Sequence, residues 1–325
     1  MAIVKAKRKK VQYTTPELID KINPDNKDIW KKYLNGKRTL SESTRYGYTS
    51  DINQFFVFIL KNYENKNIFD IDADDMADIL EDFLAMCQSI LENKERRMSR
   101  RLSTISSMYL YYKKKRKIKE NPVELLERPK IQKGKYEIKR VFLTIEQIEI
   151  IRQGLEVMNN TQLTLMFELG LYCMARVTAL NSIKIEQIKF DKKRIEGVIE
   201  KEGYEVNLLL SDKCLELIKK WLQERKDRGV ECEYLFITRY DKQWNKADVG
   251  TMQSNWIKKI GALIDEPELS MHDLRHSGSD LKYKSGMSLE MVSKALNHAS
   301  TQVTKDFYLT EDTDKLQDEM EKYNI

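Results

Sequence analysis

The chain has 325 residues, a mass of 38.5 kDa, 41% hydrophobic and 33% charged residues, and a formal net charge of +6. This length suits two ordinary domains with buried cores, and no apolar run approaches the ~20 residues of a membrane span. Few Gly and Pro residues favour a mostly helical protein. The N-terminus lacks the apolar segment of a signal peptide, so we expect a soluble protein.

The charge is unevenly distributed along the chain. Residues 1–140 carry 31 Lys and Arg against 20 Asp and Glu, whereas residues 141–325 carry 26 against 31. A basic first half favours binding to a polyanion such as nucleic acid, because its cations can replace the counterions of a phosphate backbone. The alternative, a well-solvated helical surface, explains the density of charge but not its sign.

Four cysteines lie among apolar neighbours without any C-x-x-C spacing: Cys87, Cys173, Cys214 and Cys232. Zinc sites and disulfide frameworks usually show closer or paired spacings. We therefore expect these side chains to be reduced core residues of a cytosolic protein.

The chain begins with a basic arm at residues 1–12, which either follows a DNA backbone or is a solvated tail. Thr15 and Pro16 have the residue types of a helix N-cap and of the first helical position. Large apolar side chains then recur at helical spacing from Tyr48 to Tyr63 and predict a buried helix.

An acidic stretch at residues 70–81 resembles the calcium-binding loop of an EF-hand in the spacing of its carboxylates. Its sixth position is Asp75, however, where the sharp turn of that loop requires glycine. The apolar residues Ile79, Leu80 and Phe83 also continue a helical period through the loop. We interpret the acidic residues as the start of a helix, where they offset the helix dipole.

Residues 94–119 are strongly basic and predict a helix with one apolar stripe. The other faces carry cations and short hydroxyl side chains, which can lie close against phosphates. The alternative is a solvated helix surface. We predict DNA contacts from this helix and from one lysine of a later helix: Arg97, Arg100, Arg101, Thr104, Lys113, Lys114, Lys115 and Lys258.

A change in composition marks a domain boundary. Pro122 and Pro129 bracket a short helix, and a basic stretch without periodicity follows, so we place an interdomain linker at residues 129–140. A second domain then begins, and Thr144 and Gln147 form the pattern of a helix capping box.

The second domain opens with an apolar stretch that is interrupted by Arg176. A guanidinium on a buried helix requires an anion, so we expect Glu168, Glu186 or a bound phosphate to pair with it.

Three short alternating runs near residues 188–190, 194–199 and 204–210 predict a small antiparallel sheet, with Lys201 in a tight turn. Helices are predicted at residues 212–228 and 246–263.

The three histidines of the chain all lie in the run from Met271 to Tyr308. His272 and His276 flank Arg275, and His298 lies ten residues before Tyr308. Imidazole beside arginine and tyrosine suits gripping a phosphate and moving protons around it.

Taken in order, these motifs resemble the tyrosine recombinases, the phage and transposon integrase and Xer family. ARVTAL resembles the block around the family's first catalytic arginine, MHDLRH its His-x-x-Arg box, and ALNHASTQVTKDFY the segment from its second histidine to its nucleophile. Two positions depart from the family pattern. Asn297 stands where glycine is common, and both residues tolerate a positive φ at a helix end. Ala179 stands where an acidic residue is often found, which leaves Arg176 with one supporting partner fewer.

The resemblance implies a mainly α fold with a small antiparallel β-sheet, arranged in two domains. We expect a helical core-binding DNA domain at residues 13–128 and an α+β catalytic domain at residues 141–308. A C-terminal oligomerisation helix is expected at residues 309–325, where Leu316, Met320 and Tyr323 recur at helical spacing.

The resemblance also implies a mechanism. Tyr308 attacks the scissile DNA phosphate and forms a 3′-phosphotyrosyl link with release of a 5′-hydroxyl. The other roles expected by resemblance are phosphate binding by Arg176, Arg275 and His298, protonation of the departing oxygen by Lys201, and assistance to proton transfer by His272. His276 is expected to support the helix or to contact DNA.

One phosphoester replaces another in this scheme, so no ATP is required. The two arginines neutralise the charge that a metal neutralises elsewhere, so neither a metal nor another cofactor is expected.

The function implied is that of a site-specific DNA recombinase, the integrase of a mobile element. We expect it to bind double-stranded DNA recombination sites as a homotetramer, to be a monomer when free, and to use an accessory DNA-bending factor. The expected location is the cytoplasm, at the bacterial nucleoid. Two alternatives stay open: a type IB topoisomerase that relaxes DNA, and a catalytically idle DNA-binding protein on the same scaffold.

Overall fold

The computed structural model describes residues 12–130, 140–200, 203–297, 301 and 304. The chain divides into two compact units, Met1–Tyr136 and Glu137–Ile325, and the division falls within the predicted linker. Each unit has its own hydrophobic core. The described residues are mainly helical with small antiparallel sheets, as predicted.

The regular secondary structure among the described residues of the first unit is entirely helical. Its elements are α1 Pro16–Asp20, α2 Pro24–Gly36, α3 Glu42–Asn62, α4 Ala73–Ser89, α5 Glu95–Lys114 and a 3₁₀ turn at Pro122–Leu125. Helix α1 begins as predicted, because the Thr15 hydroxyl accepts a hydrogen bond from Leu18 N–H and Pro16 is the first helical residue. Helix α4 confirms the interpretation of the acidic stretch, since Asp72 caps it by accepting from Asp75 N–H at 2.9 Å.

Aromatic side chains form much of the core of the first unit. Phe83 of α4 makes edge and tilted contacts with Phe55 and Phe58 of α3, with ring centroids 5.3 and 5.4 Å apart. Tyr112 of α5 donates a hydrogen bond to the Ile29 carbonyl at 2.7 Å. Helices α2, α3, α4 and α5 therefore share one core.

A buried carboxylate at Asp51 of α3 gathers three arginines of α5. Arg100 donates from Nε at 2.9 Å, Arg97 approaches at 3.2 Å, and Arg101 lies 3.8 Å away and donates to Cys87 Sγ at 2.8 Å. We call these five residues the Asp51 cluster. Because three guanidiniums share one carboxylate, the cluster fixes α5 against α3.

The Asp51→Ala variant is expected to lower the free energy of unfolding by about 3 kcal/mol, because it leaves the buried Arg101 guanidinium without its carboxylate. Urea unfolding followed by far-UV circular dichroism measures the change. The matched control is Asp28→Ala, which removes a solvent-exposed ion pair with Lys32 and should leave stability unchanged. Equal stability of the Asp51 and Asp28 variants would contradict a structural role for the cluster.

The second unit combines helices with two small sheets. Its helices are α6 Ile145–Met158, α7 Thr161–Tyr172, α8 Val177–Ser182, α9 Asp212–Asp227, α10 Val249–Thr251, α11 Ile257–Gly261, α12 Met271–Lys284 and α13 Leu289–Ala295. Its strands are β1 Ile188–Lys189, β2 Arg194–Ile199, β3 Glu205–Leu209, β4 Ile237–Tyr240 and β5 Gln243–Lys246. Short 3₁₀ turns lie at Ile185–Gln187 and Ala262–Ile264, and a π-helical segment lies at Met252–Trp256.

The predicted three-stranded sheet is confirmed, with antiparallel order β1-β2-β3. Its register pairs Ile195 with Leu208 and Val198 with Val206, and these apolar side chains point into the core. The register shifts between the two pairs, where Gly197 has a φ of +67°. This bulge bends β2, the strand that leads to the predicted Lys201 turn.

Two parts of the second unit differ from the prediction. The β4–β5 hairpin was not predicted, and it pairs Ile237 with Lys246 in antiparallel fashion. The helix predicted at residues 246–263 instead begins at Val249 and contains the π-helical segment. The capping box of Thr144 and Gln147 and helix α9 agree with the prediction.

Helix α12 packs very closely against α7. A methyl group added at Gly278 of α12 would overlap the carbonyl oxygen of Leu171, and Gly170 of α7 lies under Leu274. Only glycine allows the two backbones to approach this far. The close contact fixes the position of α12 and of the side chains that it presents.

All four cysteines are free thiols, and three of them are buried while Cys232 is partly exposed. Within the described ranges, no helix combines the length and the apolar composition needed to cross a bilayer.

Candidate active site

Three of the six predicted catalytic side chains lie in the described part of the second unit: Arg176, His272 and Arg275. Lys201, His298 and Tyr308 lie outside the described residues, and their roles stay predictions.

Helix α12 begins at a firmly held N-terminus. The Ser270 hydroxyl accepts from Asp273 N–H, and Asp273 Oδ2 accepts from Ser270 N–H at 2.9 Å, which completes a capping box. Asp273 Oδ1 also accepts from Val141 N–H at 3.2 Å. The first turn of α12, which carries His272, is thereby tied to the start of the domain.

Arg275 lies one turn further along α12 and is only 1% exposed. Its Nη1 donates to the Met174 carbonyl at 2.7 Å, and its Nη2 donates to the Leu296 carbonyl at 2.6 Å. Met174 has a φ of +53° in the turn between α7 and α8, and Leu296 follows α13. The guanidinium therefore joins three segments through main-chain atoms and is held rigidly.

Arg176 is the N-cap residue of α8, two residues after the Met174 carbonyl that holds Arg275. Its side chain is 33% exposed and forms an ion pair with Glu200, the residue after β2. The prediction of a buried helical position with Glu168 or Glu186 as partner is therefore wrong, because Arg176 is a partly exposed N-cap that pairs with Glu200. The third alternative, a bound phosphate, stays a prediction.

Glu168 instead accepts from two other cations of the second unit. Arg152 donates to it from Nε at 2.8 Å, and the Lys213 ammonium lies 2.8 Å from the same carboxylate oxygen. These partners already satisfy the carboxylate, so it is not available to Arg176.

The positive charges of both arginines act on the imidazole of His272. Burial of part of the ring lowers its pKa from the ordinary 6.5, and the positive charge of Arg275 lowers the pKa further. Asp273 opposes this shift, while Arg176 and Arg140 add to it. One imidazole thus senses both arginines, which indicates that the three predicted side chains converge. The lowered pKa favours the neutral form of the His272 ring at neutral pH.

Arg140 and Glu200 are site residues that the sequence did not indicate. Arg140 was assigned to the end of the linker, yet its charge acts on His272. Glu200 follows the strand predicted at residues 194–199 and was given no role, yet it binds Arg176. The ion pair and the electrostatic interaction both join residues far apart in the chain, and no local spacing signals them.

His276 and Asn297 behave as two of the sequence interpretations require. His276 is buried and its ring packs 5.8 Å from that of Phe142 and edge-on to His272 at 4.6 Å, so it supports the helix. Asn297 has a φ of +50°, which confirms that it replaces glycine in a left-handed turn after α13.

The predicted DNA contacts of α5 are partly corrected. Arg101 is 3% exposed within the Asp51 cluster, and Thr104 is 0% exposed with its hydroxyl directed to the Arg100 carbonyl. Neither side chain can reach a phosphate from the interior, so these two predictions are wrong. Arg97 and Arg100 are partly exposed at the edge of the cluster.

The remaining lysines of the predicted DNA surface differ in their contacts. Lys113 pairs with Glu124 at 2.8 Å, whereas Lys114 and Lys115 are exposed. They line a cleft of about 420 Å³ together with Lys37 and hydroxyl side chains of α5. Lys258 of α11 is partly buried and donates to the Leu269 carbonyl at 3.1 Å.

Among the described residues, no group of three or more His, Cys, Asp or Glu side chains is arranged to hold a metal ion.

Residues 141–315 match the Phage integrase family. Among curated relatives, the tyrosine recombinase XerC of Caldanaerobacter subterraneus subsp. tengcongensis is 24% identical over 298 residues, which cover 86% of this chain and 82% of the relative. The tyrosine recombinase XerA of Pyrococcus horikoshii is 26% identical over 208 residues, which cover 63% and 68%.

Solved structures share the fold. A lambda integrase dimer bound to a COC′ core site has a TM-score of 0.61 at 18% identity, covering 87% of this chain and 94% of that one. The Tn1549 transposon integrase in complex with circular intermediate DNA has a TM-score of 0.65 at 17% identity, covering 91% and 98%.

Proposed function

The chain belongs to the Phage integrase family and is a tyrosine recombinase, and from this premise we propose that it cuts and rejoins DNA through a 3′-phosphotyrosyl intermediate at Tyr308. The observation that carries the proposal is that Arg275, which shares helix α12 with His272, bonds to the Met174 carbonyl two residues before Arg176. Two guanidiniums near one neutral imidazole form a receptor for a phosphate that exchanges its ester partner.

The first step is an exchange of phosphoesters. The Tyr308 oxygen forms a bond to phosphorus while the bond from phosphorus to the 5′ oxygen breaks. His272 takes up the proton of the tyrosine, and Lys201 supplies a proton to the departing 5′ oxygen. A 5′-hydroxyl of the partner strand reverses the step and restores the tyrosine, so no energy source is consumed.

The arginines act on the charge that grows on the two non-bridging oxygens. Arg275 is rigid because two carbonyls hold it, so it requires no reorganisation during the reaction. Arg176 is more exposed and reaches the phosphate from the start of α8. His298 donates to a phosphate oxygen in the same scheme.

The first unit supplies the wider grip on DNA in this proposal. Arg97, Arg100, Lys113, Lys114 and Lys115 would contact the phosphate backbone and fix the position of the duplex. Lys258 would add a contact from the second unit. Such contacts give affinity that falls with rising salt concentration.

Assembly on DNA is the second part of the proposal. Four copies would bind two recombination sites, with the segment at residues 309–325 joining neighbouring copies. The chain would be a monomer when free, and an accessory DNA-bending factor would bring distant sites together. Likeness in fold to a transposon integrase supports the integrase of a mobile element.

A nicked suicide site tests the chemistry. Cleavage next to the nick releases a short strand, which prevents religation and traps the covalent adduct. We expect an adduct that forms in EDTA and disappears on protease treatment. If the wild-type protein forms no adduct, the proposed function is wrong.

Two further measurements separate recombination from its alternatives. Exchange of strands between two labelled sites supports a recombinase, whereas relaxation of a supercoiled plasmid without exchange supports a topoisomerase. Sequencing of the DNA attached to captured adducts then identifies the natural site. Ends of a mobile element among these sequences would support integration, and a single chromosomal locus would contradict it.

The rate of adduct formation is expected to fall when the pH is lowered through the pKa of His272, which lies below 6.5. Above that value the imidazole is neutral and accepts the tyrosine proton, whereas below it the ring is protonated and cannot. Single-turnover rates between about pH 5 and about pH 8 measure this limb. In His272→Gln this fall in rate at low pH should disappear. If the fall persists, another group is responsible for the pH dependence.

A further inference from the structure

Glu200 is the partner that the structure gives to Arg176. Its side chain is only 5% exposed, whereas that of Arg176 is 33% exposed. A carboxylate in this position is costly to bury unless a cation pairs with it. Within the described part of the chain, Glu200 Oε2 accepts a charged hydrogen bond from Arg176 Nη1.

The backbone around Glu200 is held on several sides. Glu200 N–H donates to the Tyr204 carbonyl at 2.7 Å, and Gly203 N–H donates to the Glu200 carbonyl at 3.3 Å. The carbonyl of Ile199, the residue before Glu200, accepts a hydrogen bond from the Ser182 hydroxyl of α8 at 2.7 Å. The end of β2 is thus tied to α8, and the carboxylate has a fixed origin from which to hold the guanidinium.

Helix α8 itself offers Arg176 no carboxylate. Its six residues, Val177–Ser182, contain no charged side chain, and Ala179 is fully buried. A long, partly exposed arginine without a partner would sample many rotamers, and ordering it at the phosphate would cost entropy. Glu200 restricts that freedom from a different element of the fold.

Pairing with Glu200 also leaves part of the guanidinium for a phosphate. The contact uses Nη1, and a guanidinium has five N–H donors in a planar fork. One edge can remain on the carboxylate while the remaining donors bind a non-bridging oxygen. The ion pair therefore orients Arg176 and leaves other guanidinium N–H donors free to bind a phosphate.

We propose that Glu200 is a positioning residue that aims Arg176 at the scissile phosphate and supplies the carboxylate that α8 lacks. The inference rests on the proposed function, because it assigns a role within the phosphate site. Glu200 does not contact the DNA in this scheme, so it changes the rate of cleavage through Arg176 and not the affinity for the site.

Three variants on the nicked suicide site test this role. Glu200→Ala removes both the charge and the acceptor, and it should slow single-turnover adduct formation about 10- to 100-fold at saturating protein. Glu200→Gln keeps a hydrogen-bond acceptor and should lose less. The matched control is Glu196→Ala, which removes the ion pair of Glu196 with Arg194 on the same strand and should react like wild type. Gel-shift affinity should be equal in all of them.

A substrate with an uncharged scissile group distinguishes a positioning role of Glu200 from a general loss of structure in the variant. In a site whose scissile phosphate carries a methyl group in place of one non-bridging oxygen, no formal negative charge remains for Arg176 to bind. The defect of Glu200→Ala should therefore shrink on this methylphosphonate site, whereas a merely loosened fold would slow both substrates equally and would overturn the inference. If Glu200→Ala does not fold, Glu200→Gln provides the same comparison.

Other outcomes are also decisive. An unchanged or faster rate for both Glu200 variants, beside a reactive wild type, would overturn the positioning role alone. A wild-type protein that forms no adduct would overturn the proposed function and this inference with it.

Discussion

Tyr308→Phe is expected to form no detectable covalent adduct with the nicked site and to bind that site with wild-type affinity, because it removes the proposed nucleophile. The substitution deletes one oxygen atom and keeps the aromatic ring. Without that oxygen no phosphotyrosyl bond can form, and the remaining groups have no other acceptor for the DNA strand. Denaturing gel electrophoresis of labelled DNA measures the adduct, and gel shift measures binding.

Tyr240→Phe is the control for this substitution, because it makes the same change at an exposed side chain of the second unit. It should form the adduct as wild type does. An adduct that persists in Tyr308→Phe would show that another side chain is the nucleophile. Sequencing of the peptide that remains attached to DNA after proteolysis would then identify it.

Arg275→Ala is expected to lose both activity and stability. Loss of a fixed donor to the phosphate should slow adduct formation by at least about 10³-fold. The same change leaves the buried Met174 and Leu296 carbonyls without their donors. It should therefore lower the free energy of unfolding by about 3 kcal/mol. Single-turnover kinetics and urea unfolding measure the two effects.

Arg225→Ala separates the two effects. Arg225 is also buried in the second unit and donates to the carbonyls of Cys232, Tyr234 and Leu235. Its removal should lower stability in a similar way, but adduct formation at a temperature where the protein is folded should match wild type. A cleavage defect of equal size in both variants would assign the loss in Arg275→Ala to structure alone.

Local signals predicted the parts of the fold that depend on neighbouring residues. The alternation of apolar and polar side chains located β2 and β3 to within a residue, because that pattern and the paired strands lie within about twenty residues. The capping residues Thr15 and Thr144 were correct for the same reason, since a cap bonds to residues two or three positions away.

The β4–β5 hairpin was missed because its turn has unusual residues. Asp241 and Lys242 both have positive φ values, 47° and 63°, a conformation that Asn-Gly or Asp-Gly usually marks. Lysine at the second position gives no such signal. The π-helical segment at Met252–Trp256 similarly follows from packing and has no composition of its own.

The site was predictable as a set of residue types but not as a set of contacts. The clustering of histidines with Arg275 and the isolated Arg176 are visible in the sequence, and His272, Arg275 and Arg176 lie at the candidate site. The partner of Arg176 is not visible, because Glu200 reaches it only through the packing of β2 against α8. Arg101 was misassigned for a related reason, since Asp51, which draws it inward, lies fifty residues away.

The two arginines of the site are held by different kinds of atoms, and this makes them unequal in evolution. Arg275 bonds to main-chain carbonyls, which every residue at positions 174 and 296 would provide. Mutational drift at those positions therefore leaves its partners in place as long as the backbone keeps its path. Arg176 bonds to the side chain of Glu200, so a single codon change can remove its support. In the proposed phosphate site, the support of Arg275 therefore tolerates substitutions at its partner positions, whereas the support of Arg176 can be lost by one substitution.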